Sequence, residues 1–519
     1  MNAAKLTISE FDVSTNTTNA PKGIICVQGV TKRGPKNGTD EIIKSWARFS
    51  ALYGGLITTS DFPLYCKLLL DAGVQLRVKR CMNEATAVKA SLPSVPTTAI
   101  KGIGNSANAP LFDLPIKYHG SDYNNVRVIV AAASNGQANY FNLQINHLVD
   151  SGINELYENL IITGSPTIAD SNYLNVVASG SQLVDVTYRD LSALVAPVRP
   201  LNGTYAYTAG ANGDAVVAAD YTGAQIDSSG WYAFDSVNDS ISMMAPEIAI
   251  VTGGSAANPI IVGAVAYCAA RKNMNYLAHF DNSITSPSNL VTARSGLSLD
   301  SSYFHMYCGG IKWVDPVTNI TKNLLGLAHI GITMTDSDKN FGEHYSYAGL
   351  VRGEIKYVVG PVNNFSNPST LDTLANAQIN CIIRKNNKTV IWGNFTGQYS
   401  DSKLSQISVR RFLNVLKLEL TPVLEKYIEA PNDIQSWKAL YYEAKPLLDA
   451  YLNEKRALNS YDWQGDQFAK SMNELVVNTL PNINLGKYNV RLPLDIVNAI
   501  REIGLALYVT STGVTLDEF

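Results

Sequence analysis

The sequence predicts a multidomain protein that mixes α/β and α+β architecture. Three observations carry that expectation: the 519-residue length with 46% hydrophobic and 16% charged residues, a block of period-two alternation, and a helix-period block late in the chain. A chain this long exceeds what one core organises, so about three or four domains are expected. Few charges over so much sequence leave surface fit for burial, part of it between subunits. A net charge of -3 gives no global pull toward nucleic acid or anionic membrane.

Residues 1–20 are polar and Thr/Asn-rich, with Leu6, Ile8, Phe11 and Val13 in broken alternation. That is too little apolar surface to fold alone, yet enough β-propensity to pair with an existing sheet. The start has no apolar core of signal-peptide length, and no segment has the apolar length of a membrane span, so residence in a cytosol is expected. Residues 21–91 read as an α/β segment. GIICVQGV is a buried strand, SWARFSALYGG a short helix stopped by Gly54 and Gly55, and FPLYCKLLLDAGVQLRVKRC a helix followed by a strand.

Pro and Gly punctuation between Pro93 and Pro115 opens residues 92–200, where VRVIVAAAS and YFNLQINHLV alternate with period two. This region reads as a β-sandwich-like domain. In residues 201–369, IAIVTGG, PIIVGAVAYCAAR and NMNYLAHFDNS mix strands with an apolar helix or strand, as in an α/β layer. Residues 370–504 are helix-rich: Leu404, Ile407, Phe412, Val415, Leu416, Leu420, Val423, Leu424 and Tyr427 keep a helical period. Pro422 either kinks this helix or, with Thr421 as N-cap, starts a second one. A further helix begins near Asn432 and Asp433, and LALYVTSTG closes the chain with strand-like alternation.

The chemistry-bearing residues point away from catalysis. Cys26, Cys66, Cys81, Cys268, Cys308 and Cys381 are scattered and read as free thiols. GIGNSA at Gly102–Ala107 fits a loose dinucleotide fingerprint, but Pro110 and Pro115 leave no helix to meet a pyrophosphate. TDSDKNFGE at Thr335–Glu343 resembles a calcium loop with its glycine one place late, and reads as a solvated surface loop. Of Cys268, His279, His305 and Cys308, one pair has zinc-ligand spacing, so ordinary thiols and histidines are expected. No G-x-S-x-G, H-E-x-x-H or Walker pattern is present. No catalytic residue, metal or cofactor is expected. VIWGNFT, an apolar strand running into Gly393, could mark a ligand cradle but is better read as a tight exit from a buried strand.

Several stretches, in order, resemble the contractile tail sheath proteins of myovirus-type bacteriophages and related injection machines. They are GPKNGTDEIIKSWARFSALYGG with LLLDAGVQLRVKRC, then LNGTYAYTAGANGDAVVAADYTGA, AYCAARKNMNYLAHFDN, GLVRGEI, the VIWGNFT stretch, VRRFLNVL and APNDIQSWKAL. The resemblance spans nearly the whole chain. Asn394-Phe395-Thr396 stands where the family usually has Ala-Arg-Thr after Trp-Gly.

The resemblance implies a subtilisin-like α/β domain without catalytic residues at 201–369, and a tube-proximal C-terminal domain at 370–504 against which residues 21–91 pack. It implies linking arms at 1–20 and 505–519 that add strands to neighbouring subunits, anchored by Leu6, Ile8, Phe11 and Val13 at one end and Leu505, Leu507 and Val509 at the other. Arg410, Arg411 and Lys417 become candidates for meeting acidic residues of an inner tube, against the alternative of a solvated helix face or ion pairs within the domain. Implied partners are copies of the chain in a helical stack of rings, a tail tube protein, a baseplate and tail terminator or neck proteins, with no direct nucleic acid and no membrane insertion. The implied setting is a virion tail, assembled in host cytoplasm. A sheath from a bacteriocin or extracellular injection particle is the nearest alternative, and an α/β hydrolase a more distant one.

Overall fold

The structure, a computed structural model, describes residues 23–501 apart from 37, 39–40, 84, 93–111, 163–173, 189–198, 254–257 and 471–473. Strand β1 (Ile24–Val30) is buried along almost its whole length, as a strand covered on both faces must be. Two helices follow, α1 (Trp46–Tyr53), capped by Ser45, and α2 (Phe62–Asp71), with Pro63 in its first turn. Strand β2 (Gln75–Cys81) then returns parallel to β1, from Ile24 opposite Gln75 to Val30 opposite Cys81.

An antiparallel domain is inserted next. It contains β3 (Phe112–Asp113), β4 (Val126–Ala132), β5 (Phe141–His147), β6 (Glu155–Leu160), helix α3 (Asn175–Gly180), β7 (Thr187–Tyr188) and β8 (Gly203–Ala206). The sheet runs β6-β5-β4-β8, and β3 and β7 form a separate ribbon. Alternation aims Val126, Val128, Val130, Phe141, Leu143 and Ile145 into one core with Phe112, Leu114 and Ile116. The domain passes the expected end at 200 because β8 pairs with β4.

Its two connecting segments run side by side. Val88 and Ala211 exchange backbone hydrogen bonds of 2.9 and 3.0 Å, and Ser91 and Thr208 exchange bonds of 2.8 and 3.0 Å. A buried charge cluster seats the domain. Asp122 meets Lys32 Nζ at 3.0 Å, Arg33 Nη1 at 3.0 Å and His147 Nε2 at 3.3 Å, while Arg33 Nη2 reaches Asp150 at 2.5 Å. Arg80 Nη1 adds donations to the carbonyls of Gly34 and His119 at 2.9 and 2.8 Å.

Beyond the insertion come α4 (Ala218–Thr222), β9 (Ser242–Met244), β10 (Ala249–Ile250), α5 (Pro259–Arg271), β11 (Asn275–Phe280), α6 (Pro287–Gly296) and β12 (Phe304–Cys308). A hairpin of β13 (Ile311–Val314) and β14 (Thr321–Leu324) precedes α7 (Leu327–Phe341), α8 (Gly349–Arg352), α9 (Pro368–Asn376), β15 (Asn380–Lys385) and β16 (Lys388–Trp392). The central sheet has the order β16-β15-β12-β11-β9-β1-β2, with β10 also on β11. Its pairings are parallel except β15 with β16. Tyr276, Ala278, Phe304, Met306 and Ile383 face one layer with residues of α5, α6 and α9, and Ile25, Val27, Leu76, Leu277 and Ile382 face the other with residues of α1, α2 and α7. This is a three-layer α/β core, and it crosses two expected boundaries. β1 joins β9 across the insertion, and β15 and β16 lie past residue 370. Parallel neighbours need long crossovers, so pairing partners are remote in sequence.

The TDSDKNFGE stretch corrects an expectation. It is no solvated loop: α7 runs through Phe341, with Thr335, Ser337 and Asp338 buried. Polar residues on the inward side of a helix meet the next unit of the chain, as described below.

The C-terminal unit holds α10 (Ile407–Glu425), α11 (Ile434–Asp449), β17 (Leu458–Tyr461), α12 (Leu480–Asn484) and β18 (Leu494–Ile496). Helix α10 continues through Pro422, and Thr421 is no N-cap, since its hydroxyl donates to the Lys417 carbonyl at 2.7 Å. Asp433 caps α11 by accepting from the Ser436 amide at 2.8 Å. Phe412, Leu416 and Leu420 pack against Leu440, Ala444 and Leu448.

Candidate assembly site

The exit of β16 is a fastened corner. Gly393 has φ 121°, and a Cβ there would lie 2.6 Å from Asn380 Oδ1, so glycine is required by both conformation and space. Asn380 accepts from the Phe395 amide at 2.8 Å and donates to the carbonyls of Met306 and Phe395 at 3.0 and 2.8 Å. Asn394 accepts from the Ser408 amide at 3.2 Å and donates to the Ser408 hydroxyl at 3.0 Å, tying the corner to the first turn of α10. Thr396 donates to the Leu404 carbonyl at 2.9 Å. Asn394, which departs from the Ala-Arg-Thr pattern, and Thr396, which keeps it, are thus both parts of the fastening. VIWGNFT is a tight strand exit, with the Asn394 and Thr396 side chains and the Phe395 amide and carbonyl committed to the fold.

Helix α10 is bolted to the core by its arginines. Arg411 makes a two-pronged ion pair with Asp338 of α7, with Nη1–Oδ1 at 2.9 Å and Nη2 on Oδ2, and its guanidinium lies 5.1 Å from the Tyr347 ring. Burial works against this charge, but Asp338 more than offsets it and holds Arg411 above its ordinary pKa. Arg410 is also buried, 4.4 Å from the Tyr303 ring, and burial lowers it. Asn414 donates to Asn275 Oδ1 at 3.0 Å in the same interface.

Arg410 and Arg411 therefore face the interior of their own subunit, which corrects their expected tube-facing place. Two adjacent arginines in a helical pattern read as a basic surface; here an acid and two aromatic rings from remote segments take them in. Lys417 is on the surface side of the same helix, its Nζ donating to the Lys272 carbonyl at 2.7 Å. The signal for the bolt was Asp338 itself, set aside with its loop.

The β17–β18 ribbon lies beside the start of α10, where Lys403 Nζ donates to the Ile496 carbonyl at 3.0 Å. Leu458 and Ile496 point into the helical core, while Asn459, Ser460 and Asp495 are in solvent. Lys403 meets Asp495 at its rim. Among the described residues no third strand pairs with either edge. Such a ribbon is marginal alone and offers unpaired backbone groups to another strand. The expected arm anchors Leu6, Ile8, Phe11, Val13, Leu505, Leu507 and Val509 lie outside the described residues.

The α/β core has its own default ligand position, the point between β1 and β9 where strand order reverses. Glu247 fills it, accepting from the Val30 amide at 3.5 Å, the Tyr221 hydroxyl at 3.0 Å and the Ser60 hydroxyl at 2.5 Å. Burial raises its pKa, partly countered by Ser60 and Tyr221. Elsewhere His279 Nε2 accepts from the Gly310 amide at 3.2 Å, Cys268 lies 3.3 Å from Met243 Sδ, and Cys308 lies 3.5 Å from Cys381. Burial, then the charges of Arg411 and Arg410, holds His305 down to about 3. Among the described residues no group of three His, Cys, Asp or Glu side chains is placed to hold a metal ion, and no helix is long and apolar enough to cross a membrane.

No family model matches the chain, and no curated protein matches it in sequence. Solved structures do. The sheath tail protein of Listeria innocua is 12% identical with a TM-score of 0.59, over 94% of each chain. The sheath tail protein of Desulfitobacterium hafniense is 10% identical with a TM-score of 0.51, over 95% of this chain and 100% of its own. The anti-feeding prophage helical sheath in its contracted state is 13% identical with a TM-score of 0.52, over 97% of this chain and 98% of its own. Across nearly its whole length the chain has the fold of contractile sheath proteins.

Proposed function

We propose that the chain is the structural, non-enzymatic subunit of a contractile sheath. It polymerises as a helical stack around an inner tube, in an extended state that a baseplate trigger releases. The observation that carries this reading is the near-complete mutual coverage with sheath structures, insertion and C-terminal unit included. The open β17–β18 ribbon supports it, because strand addition gives a subunit a link that tolerates sliding of the bodies it joins. The arms 1–20 and 505–519 are the strands that supply such links. Heterologous links that do not close into a ring continue as a helix. Contraction then draws on the difference in packed surface between two lattices rather than on a nucleotide.

Lys417 remains the one of the three basic candidates proposed to face the tube, and the core is read as the subtilisin-like domain. Of the two settings, a phage tail with its tube, neck and terminator proteins is the reading favoured by the sequence resemblance. A bacteriocin or extracellular injection particle fits the same fold, since the similar structures include an anti-feeding prophage sheath.

Electron microscopy of the purified full chain tests the assignment. Hollow striated cylinders are expected; monodisperse particles with hydrolytic turnover would return the hydrolase reading. Deleting residues 1–20 is expected to leave soluble monomer without tubes, and normal tubes from that variant would remove the arm from the mechanism.

A further inference from the structure

Beside the fastened corner lies a cleft of about 710 Å³, bounded by Trp392–Phe395, by residues around Arg352, and by 497–501. That size falls within the ~300–1,000 Å³ of ligand pockets. Its charge is one-sided. Arg352, Arg456 and Arg501 line it, with Asp372 the one acid among the lining residues. Among the described residues none of the three arginines forms an ion pair. Arg352 Nε donates to the Ser346 carbonyl at 2.9 Å, Arg501 Nη2 donates to the Ser405 hydroxyl at 3.3 Å, and Arg456 is exposed. The apolar part of the lining includes Leu371, Ile379 and Trp392, and Ile500 at the rim is 82% exposed.

The chain leaves the described structure from this wall, at Arg501. Residues 502–519, EIGLALYVTSTGVTLDEF, contain Glu502, Asp517 and Glu518 and no lysine or arginine. We propose that the cleft is the berth of this chain's own segment 502–519 in the free subunit, with Asp517 and Glu518 against Arg456 and Arg352 and Leu516 or Phe519 on the Trp392 side. Asp517 lies sixteen positions beyond Arg501, an extended reach of roughly 50 Å, which leaves ample slack for doubling back. Gly504 and Gly513 provide the places where a reversal costs least.

A second copy offers the same acidic segment, and concentration decides between the two. A short tether holds its own segment at an effective concentration of order mM. In micromolar protein the tethered copy wins by about a thousandfold. The berth keeps an alternating, strand-prone segment out of solution until a neighbour supplies a better pairing. This last step rests on the sheath reading; occupancy of the cleft does not.

The test is a double cysteine variant of the full chain, Asp517→Cys with Arg456→Cys, oxidised with glutathione disulfide at micromolar concentration. All six native cysteines are buried. A link within one chain is expected, read by peptide mapping at the mass of the monomer. It should form at least tenfold faster than in a control with Asp517→Cys and Lys426→Cys, outside the cleft. Links chiefly between chains, or a rate equal to the control, would overturn the proposal. As a second measurement, Arg352→Glu with Arg456→Glu is expected to raise amide exchange across 502–519 at least tenfold, and adding Asp517→Lys with Glu518→Lys to restore protection. Unchanged exchange would also overturn it. Tube formation is scored on the unmodified chain: a link within the variant without tubes from the unmodified chain removes the sheath reading alone, and tubes from the unmodified chain without a link in the variant remove the berth alone.

Discussion

In the central sheet β1 and β11 are buried on both faces by helices from the same chain, whereas the β17–β18 ribbon buries Leu458 and Ile496 on one face and leaves Asn459, Ser460 and Asp495 in solvent. The first is finished within one molecule. Among the described residues, the second has the backbone groups of a sheet without the strands that complete one. Under the function proposed above, stability and assembly fall to different regions, which the α10 bolt joins through Arg411 and Asp338.

Cutting that bolt is expected to have the largest effect. Asp338→Ala leaves the buried Arg411 guanidinium unpaired, at a cost of about 3–5 kcal/mol, read as a lower denaturant midpoint. Asp338→Leu combined with Arg411→Met is expected to recover most of it. Next comes a matched pair of truncations. Leu277→Ala in the central sheet should cost about 3–4 kcal/mol, and Ile496→Ala on the ribbon about 2, because a site near an edge collapses more easily. Equal losses would mean that the ribbon is as integrated as the sheet.

A smaller effect follows acid. Burial alone would raise the Asp122 carboxyl, but hydrogen bonds from His147, Lys32 and Arg33 reverse this and hold it well below the ordinary range. A carboxyl lowered on folding contributes stability above its unfolded pKa and loses it as pH falls through the folded value. Amide exchange in the inserted domain should therefore rise once pH drops below about 3.9, and Asp122→Asn should remove that acid-dependent step. The smallest effect is expected from Lys403→Ala at the ribbon rim. Its ion pair with Asp495 is exposed, and no measurable change in midpoint should follow.

Local order was well written in the residues. GIICVQGV, the helix with Pro63, the alternating VRVIVAAAS and YFNLQINHLV, and the helix start near Asp433 appear where their patterns place them. What failed was long-range. Pairing of β1 with β9 joins residues more than two hundred positions apart, and no periodicity encodes a partner. Arg411 and Asp338 each looked like surface polarity in their own window; only their meeting, 73 residues apart, makes both interior. The Gly393 corner was readable as a strand exit rather than a cradle, but not its fastening by Asn380, which comes from another strand.

The paired segments at Val88–Ser91 and Thr208–Ala211 have one more consequence. Entry and exit of the inserted domain are neighbours across a single ladder, roughly 5 Å apart. A foreign module with adjacent termini can be grafted onto the same two-strand stem, provided that it also supplies partners for the buried Arg33 and Arg80, which the inserted domain takes up through Asp122, Asp150 and the His119 carbonyl. In the helical polymer proposed above, such stems would repeat at regular intervals, one mounting point on every subunit.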